Sequence, residues 1–225
     1  MIYIAIIGDL ISSKAITNRP KSQKQLKNLL NQINKKYKEL LKSAFTITTG
    51  DEFQALLVPN PQIFQIIDEI ALGFKPYQIR FGVGSGSILT EINPEQSIGS
   101  DGPAYWHARA AIDYIHDKND YGSNHLAVDL EDTETSQQIN AILAACEFIK
   151  SKWTVTQYEV IDGLLQAGIY EEKFSHKKMA EKLDLSPSSF NKRLKSSGLK
   201  IYLRNKKVAT TLLLNAIRKE KRCLN

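Results

Sequence analysis

Thr48-Thr49-Gly50-Asp51-Glu52-Phe53 is the stretch from which the fold can be worked out. It joins two runs with strand character, 44–49 and 52–58, through Gly and Asp, which are common residues of tight turns. The two runs therefore predict a β-hairpin that carries carboxylates at its turn. A further carboxylate, Asp9, follows the isoleucine-rich run 2–7, which predicts a central strand.

An ionised carboxylate at the end of a buried strand needs a hydrogen-bond donor, a positive side chain or a bound cation. If the first strand lies antiparallel beside the second strand of the hairpin, Asp9 and Asp51 meet at one edge of the sheet. They could then share Mg²⁺ or Mn²⁺, which commonly binds one or two carboxylates together with water and nucleotide phosphates. The alternative is that Asp9 caps a turn and that Gly50-Asp51 only forms the hairpin.

The periodicity of the apolar residues predicts helices that alternate with strands. Helical spacing is found over 22–42, 63–70, 103–115 and 135–150, and short apolar runs cover 78–85 and 125–130. The order is strand, helix, hairpin, helix, strand, helix, strand. This order predicts an α+β fold, in which helices cover a mixed sheet.

Two further patterns have a structural interpretation beside a functional one. Gly82, Gly84 and Gly86 alternate but do not open a helix, so we expect a strand with close backbone contacts and not a dinucleotide fingerprint. Ser12 and Ser13 follow Asp9 and could offer hydroxyls to a phosphate. A polar loop after a strand is equally expected at that position.

Charge divides the 225 residues into two unequal parts. Residues 1–150 contain 14 Lys and Arg against 17 Asp and Glu, a net charge of −3, whereas residues 151–225 contain 16 against 7, a net charge of +9. This asymmetry predicts one domain over 1–150 and a second over 151–225 that meets a polyanion, most often nucleic acid.

The cysteines and the apolar runs indicate the cellular setting. Cys146 and Cys223 have neither the spacing of a disulfide framework nor that of a zinc site, so we expect two reduced thiols. No apolar run approaches the ~20 residues that cross a bilayer. The chain enters a strand at once, without a targeting segment. We therefore expect a soluble cytoplasmic protein without a membrane partner.

The basic part of the chain predicts three helices, which begin near Thr154, Ser175 and Ser186. The spacing of residues 175–186 resembles the helix-turn-helix signature, in which a small residue, here Ala180, lets two helices cross closely. A serine at 186 would then cap the helix that reads DNA. We expect a small all-α domain with a winged or simple helix-turn-helix.

If Phe190 and Leu194 face inward, polar and basic residues of this third helix face outward. The predicted DNA-binding residues are Ser188, Ser189, Asn191, Lys192, Lys195, Lys200 and Arg204, with Arg193, Lys206 and Lys207 nearby. Asn191 or a serine would touch base edges, and the cations would bind phosphate. The alternatives are a charged, solvated helix and a small protein-binding bundle.

Four segments resemble, in order, the landmarks of class III nucleotide cyclase domains. They are residues 6–9, 48–55, 80–86 and 98–110. Residues 50–53 are also similar to the signature of diguanylate cyclases, which share the ferredoxin-like palm fold. The entire chain resembles the SatD family of small bacterial proteins. This resemblance implies a cyclase-like palm domain that is followed by a helix-turn-helix.

The resemblance also implies a site. In cyclases, the carboxylates that match Asp9 and Asp51 hold divalent metal ions on a triphosphate, so the expected ligands are Mg²⁺ or Mn²⁺ with ATP or GTP. Ser12, Ser13 and Gly50 would then lie beside the nucleotide.

Cyclases further carry an Asn and, one turn later, an Arg that stabilises the transition state. In an alignment on Gly102 and Ala104, these positions fall on Trp106 and Ala110, which leaves Arg109 as the nearby catalytic candidate.

We expect a DNA-binding transcriptional regulator whose cyclase-like domain senses a nucleotide with a divalent metal. A homodimer is expected, because helix-turn-helix proteins bind paired half-sites and cyclase-like sites are built between two domains. The alternative is a Mg- or Mn-dependent nucleotide cyclase, or a related phosphoryl-transfer enzyme, with an appended DNA-binding domain. A third possibility is a domain that serves only as a dimer scaffold.

Overall fold

The protein was analysed as a computed structural model that describes residues 1–48, 50–118 and 120–223. Thr49, the last residue of the first predicted hairpin strand, lies outside these ranges. The described strands are β1 (Tyr3–Leu10), β2 (Leu41–Ile47), β3 (Glu52–Leu57), β4 (Ile79–Gly86) and β5 (Leu126–Asp129). The described α-helices are α1 (Arg19–Lys36), α2 (Ile63–Gly73), α3 (Pro103–Lys118), α4 (Thr133–Ser151), α5 (Val155–Gln166), α6 (His176–Lys182), α7 (Pro187–Ser196) and α8 (Leu199–Cys223).

The five strands form one mixed sheet in the order β2-β3-β1-β4-β5. β1 lies antiparallel to both β3 and β4, and only β5 runs parallel to its neighbour, β4. The first four strands with α1 and α2 form the β-α-β-β-α-β arrangement of ferredoxin-like folds. The predicted α+β class, the mixed sheet and the position of β1 beside the second hairpin strand are confirmed.

Each strand of the sheet divides its side chains between two helical layers. Ile4, Ile6 and Leu10 of β1 pack into the large core with α1, α2 and α4. Ala5 and Ile7 face α3 on the opposite side. Because side chains alternate along a strand, Asp9 emerges on the same face as α3.

A row of glycines lets α3 lie directly on β4. A Cβ atom at Gly82 would overlap the backbone of Ala108, and a Cβ atom at Gly84 would overlap the backbone of both Ala104 and Ala108. The helix therefore approaches the strand more closely than any larger residue would allow. The predicted close backbone contacts are confirmed.

The predicted boundaries of two helices are wrong. The helix predicted over 22–42 ends at Lys36, because Leu41 already pairs with Leu57 in the ladder between β2 and β3. Leu40 and Leu41 continue the helical spacing, although Leu40 ends a short 3-10 helix and Leu41 begins β2. The terminal helix predicted over 208–217 is longer and occupies Leu199–Cys223.

The long helix α8 connects two cores. Its first turns contribute Leu199, Tyr202 and Leu203 to a core with α5, α6 and α7. Later turns contribute Leu213 and Ile217 to the large core beneath the sheet. The helix α8 thus packs both against α5–α7 and against the core beneath the sheet.

Lys206 of α8 does not join the outward basic cluster in which the sequence placed it. Its side chain is 0% exposed, because it lies beside the buried carboxylates of Asp68 and Glu147.

Among the helices of the described ranges, none combines the length and the apolar composition that crossing a membrane requires.

Candidate functional site

Three carboxylates converge where β1 ends and β3 begins. We call Asp9, Asp51 and Glu52 the acidic edge. Asp9 is the register partner of Glu52, and the backbone N–H of Leu10 donates to the carbonyl oxygen of Asp51 at 3.0 Å. The expectation that β1 and the hairpin bring Asp9 and Asp51 together is confirmed.

Ser13 fixes the carboxylate of Asp51. Its hydroxyl donates to Asp51 Oδ2 at 2.5 Å, and the residue is only 7% exposed. Ser12 is exposed instead and turns the chain after β1 with a left-handed φ of 54°. Because the single hydroxyl proton of Ser13 is already used, Ser13 orients Asp51 and only Ser12 is open to a ligand. The predicted phosphate contact of Ser13 does not fit this geometry.

Burial and crowding control the protonation of Asp9. Partial burial raises the pKa of its carboxyl above the usual range, and the nearby carboxylates of Asp51 and Glu52 raise it further. Arg80 opposes these effects, with its Nη1 atom 3.5 Å from Asp9 Oδ2. The acidic edge thus places three carboxylates close together, and Arg80 offsets part of their effect on Asp9.

Arg109 reaches the acidic edge from α3. Its Nη2 atom donates to Glu52 Oε1 at 2.7 Å, and this hydrogen bond is the largest cause of a raised pKa of the guanidinium. Arg109, the catalytic candidate of the sequence analysis, is thus ion-paired with Glu52. Asp9 is close enough to raise the pKa of Arg109 as well, although by less than Glu52 does.

Sequence reasoning missed two basic residues at this site. Arg80 is the register partner of Asp9 on the neighbouring strand, so the pairing of β1 with β4 is the signal that could have found it. Arg19, at the start of α1, lies with its guanidinium beside Gly50. No local pattern indicates that the start of α1 returns to the hairpin turn.

Gly50 serves the turn itself. Its φ of 57° is in the left-handed region that favours glycine, and its carbonyl oxygen accepts a hydrogen bond from Gln23 Nε2 at 3.1 Å. The residue is exposed, so its backbone remains accessible next to Asp51. The turn interpretation of Gly50 and a place beside a ligand are therefore compatible.

The chemistry of the acidic edge fits a hard divalent cation that arrives with phosphate. Within 1–48, 50–118 and 120–223, no group of three or more His, Cys, Asp or Glu side chains is arranged to hold a metal by itself. Asp9 and Asp51 could supply two oxygen ligands, the number that Mg²⁺ often takes from a protein when phosphates and water complete its shell. Burial is the largest cause of the raised pKa of Asp9, and the carboxylates of Asp51 and Glu52 add to it; a cation at this place would offset both effects.

The helix α7 presents the polar surface that the sequence predicted. Phe190 and Leu194 are 0% and 5% exposed, because they pack into the core of α5, α6 and α8. Ser186 caps the helix, and its Oγ accepts from the backbone N–H of Ser189 at 3.2 Å. The exposed residues of α7 include Ser188, Ser189, Asn191, Lys192 and Lys195.

Other predicted DNA-binding residues already have partners. Arg204 donates from Nε and Nη2 to Glu172 Oε2, at 2.9 and 2.7 Å. Lys200 is half-buried, with its ammonium 5.5 Å from the centre of the Phe174 ring. Asn191 Oδ1 lies 2.8 Å from His176 Nδ1. The exposed lysines of α7 are thus the most available cations of this surface.

The chain has structural similarity to two nucleotide cyclases. One is a bacterial light-regulated adenylyl cyclase, with 15% identity, a TM-score of 0.41 and coverage of 56% of this chain and 42% of the cyclase chain. The other is the guanylate cyclase domain of RhGC from Catenaria anguillulae in complex with GTP, with 18% identity, a TM-score of 0.35 and coverage of 49% and 71%. The match thus spans less than half of the adenylyl cyclase chain.

The sequence comparisons assign the family. No curated protein matches the chain in sequence. The SatD family profile, in contrast, matches residues 3–213, almost the full length of the chain. The protein therefore belongs to the SatD family.

Proposed function

We propose that this SatD family protein is a DNA-binding regulator, and that its acidic edge binds a nucleotide together with a divalent cation. The observation that carries the proposal is the surface of α7, where small polar and basic side chains are exposed while Phe190 and Leu194 anchor the helix in the core. A helix with this division of residues suits the major groove.

The helices α6 and α7 supply the geometry for such a contact. Ala180 is 1% exposed at the point where the two helices pack, and Asp184 takes a left-handed φ of 52° in the short turn between them. The capped start of α7 leaves Ser188 and Ser189 exposed beside the helix N-terminus, which attracts phosphate. Lys192 and Lys195 would bind the backbone of the duplex, and Asn191 would reach a base edge.

In this proposal the chain has two functional parts. Residues 151–225 form the DNA-binding part, a helix-turn-helix with the long helix α8, and residues 1–150 form the nucleotide-binding part. Because α8 packs against both cores, a change at the sheet has a path to α7. Paired half-sites on DNA would require a homodimer.

At the acidic edge, Asp9 and Asp51 would hold Mg²⁺ or Mn²⁺. The cation would neutralise the phosphates of ATP or GTP. Ser13 keeps Asp51 in place through its hydrogen bond. Exposed Ser12 and the backbone of Gly50 would contact the nucleotide, and Arg19 and Arg80 would add positive charge beside the phosphates.

One observation favours a second candidate function, metal-dependent phosphoryl transfer such as nucleotide cyclisation. Arg109, the catalytic candidate, lies 2.7 Å from Glu52 within the acidic edge. Arginine at this place could stabilise negative charge on a reacting phosphate. The present ion pair with Glu52 would have to open for Arg109 to do so.

DNA binding is tested with a pair of lysines. Native protein and a Lys192→Ala/Lys195→Ala variant are compared in selection of genomic fragments, and the affinity for a selected fragment is then followed against salt concentration. The slope of log affinity against log salt should be shallower in the variant by about 1.8, because each phosphate contact contributes roughly 0.9. Lys24→Ala/Lys27→Ala, with the same spacing on exposed positions of α1, is the matched control. Equal retention of DNA by native protein and the α7 variant would refute the proposal.

The acidic edge is tested with ATP or GTP and Mn²⁺. Thermal stability and product formation are measured for native protein, for Asp51→Asn and for Glu134→Gln, an exposed control on α4. A nucleotide sensor is supported if ATP or GTP with Mn²⁺ raises the thermal stability of native protein and of Glu134→Gln but not of Asp51→Asn, and if no product forms. Turnover that depends on Asp51 selects the enzyme. If neither nucleotide changes the stability of the native protein, the sheet domain is a scaffold and the proposed ligand is wrong.

A further inference from the structure

A cavity of about 300 Å³ lies beneath the sheet, where α2, the start of β4, the end of α4 and α5 meet. Its lining includes the charged or titratable side chains of Asp68, Lys75, His125 and Lys150 and the aromatic side chains of Trp153 and Tyr158. None of its lining residues belongs to the acidic edge or to the exposed surface of α7. The cavity is therefore independent of both sites in the proposed function.

The charges below the cavity balance one another. Lys150 Nζ lies 2.5 Å from Glu147 Oε1 and 3.8 Å from Asp68 Oδ1, and Lys206 Nζ lies 3.7 Å from Asp68 Oδ1. Two carboxylates thus face two ammonium groups. The charges of this network cancel one another. The net charge at the cavity therefore depends on the other lining residues.

Lys75 supplies an additional positive charge at the cavity. It forms no salt bridge with a carboxylate in the part of the chain that the structure describes. Burial, and next the charge of Lys150, lower the pKa of Lys75 to about 8. Burial also lowers the pKa of His125, which favours its neutral form. An anion at Lys75 would offset the repulsion that Lys75 experiences from Lys150.

The remaining walls suit a flat apolar body. The rings of Trp153 and Tyr158 meet edge to face, with centroids 5.4 Å apart. Ile79, Phe81 and Leu126 line the side of the sheet. Pockets of this kind, apolar with a few placed polar groups, are typical sites for small ligands. A cavity of about 150 Å³ holds benzene, so the present volume accommodates one ring with a short acidic side chain or two rings.

We propose that this cavity binds a small aromatic carboxylate, with the ring between Trp153 and the sheet and the carboxylate at Lys75. The ligand requires two features together. The apolar walls favour the ring. The ammonium of Lys75 lies over the Tyr158 ring without a salt bridge to a carboxylate in the described ranges, and it distinguishes an acid from a neutral molecule of the same shape.

The test uses Trp153 as a fluorescent reporter in the full chain. The protein has two tryptophans, so Trp106→Phe leaves Trp153 as the only one. The probes are 3-phenylpropionate and its neutral analogue 3-phenylpropionamide, which do not absorb where tryptophan is excited. We expect saturable change of Trp153 emission with the acid and at least about ten-fold weaker binding of the amide, the loss of one charge-assisted contact.

Two variants establish the position of the ligand. Lys75→Gln, at the accessible end of the cavity, should weaken binding of the acid about ten-fold and leave binding of the amide unchanged. Ala71→Phe should weaken the binding of both probes, because the larger side chain fills the cavity. Lys24→Gln on α1 should change the affinity for neither probe. Far-ultraviolet circular dichroism shows whether each variant is folded. Absence of saturable binding of the acid up to about 10 mM, equal affinity for both probes, or full affinity in folded Lys75→Gln would overturn the proposal.

Discussion

Lys206 Nζ lies 3.7 Å from Asp68 Oδ1, although these side chains are only 0% and 1% exposed. Burial by itself would raise the pKa of Asp68, but Lys206 and Lys150, with hydrogen bonds from Tyr170 and Tyr202, lower it. The pair links α8 to α2. It ties the terminal helix electrostatically to the layers that cover the sheet.

Removal of one partner from this network should be severely destabilising. Lys206→Met leaves the charges of Asp68 and Glu147 with one ammonium group fewer, and we expect a loss of about 3–5 kcal/mol in the free energy of unfolding. Urea denaturation followed by circular dichroism measures this loss. Lys207→Met, an exposed neighbour on the same helix, should change stability by no more than about 0.5 kcal/mol.

The combination of Lys206→Met with Asp68→Asn tests whether the loss arises from an uncompensated charge. The double variant removes one charge of each sign, so it should be more stable than the sum of the two single losses predicts. Strict additivity of the two losses would contradict a direct electrostatic coupling between Asp68 and Lys206.

Gly84→Ala should push α3 away from β4. The new methyl group would overlap the backbone of Ala104 and Ala108, which cannot move without the whole helix, so we expect a loss of about 1–3 kcal/mol in stability. Thermal or urea unfolding is the measurement. Gly73→Ala is the control, because a methyl group there meets only the mobile end of Leu29. An equal effect of the two substitutions would argue against the close packing of α3.

The charges around Asp9 predict opposite shifts of its pKa in two variants. Arg80→Gln removes a group that lowers the pKa of Asp9, so the pKa should rise further. Glu52→Gln removes a group that raises it, so the pKa should fall. Carbon-detected NMR titration of the aspartate carboxyl groups resolves both changes. Shifts of the same sign in the two variants would be inconsistent with the acidic edge as described.

His107 makes part of the stability depend on pH. Its Nδ1 atom lies 2.6 Å from Asp129 Oδ2, and this hydrogen bond is the main cause of a pKa raised above 6.5. The protonated ring therefore contributes stability that is complete below pH 6.5 and is lost as the pH rises through the higher pKa of the folded protein.

His107→Gln should consequently cost roughly 1 kcal/mol near pH 5.5 and much less near pH 9, as measured by urea unfolding at both values. Asp129→Asn, which removes the partner of the imidazolium, should reduce the same dependence on pH. A cost of His107→Gln that grows with pH would contradict the assignment.

Local patterns were sufficient for the elements and for the meeting of two carboxylates. Alternation of apolar residues reports which face of a strand is buried, and the hairpin fixes the direction of β3 relative to β2. Once β1 is placed antiparallel to β3, the end of one strand must lie beside the start of the other. Asp9 and Asp51 could therefore be brought together from the sequence once the pairing of β1 with β3, itself a distant contact, was assumed.

Residues whose partners lie far along the chain could not be placed in this way. The sequence predicts that Lys206 is exposed, because a lysine among basic residues is normally solvated. No pattern near it in the sequence indicates that its partners are Asp68 and Glu147. Arg80 was missed, and Arg109 was named without its partner Glu52, since the carboxylate partners of both arginines lie on other elements.

The sequence by itself thus determined the layers of the fold, the acidic edge and the two faces of α7, because each follows from the spacing of residues along a strand or a helix. Only the tertiary structure decided the course of α8 between two cores, the buried charges of Asp68 and Lys206, and the cavity beside Lys75. These features depend on how separate elements pack against one another. The spacing of apolar residues within a single helix or strand does not predict that packing.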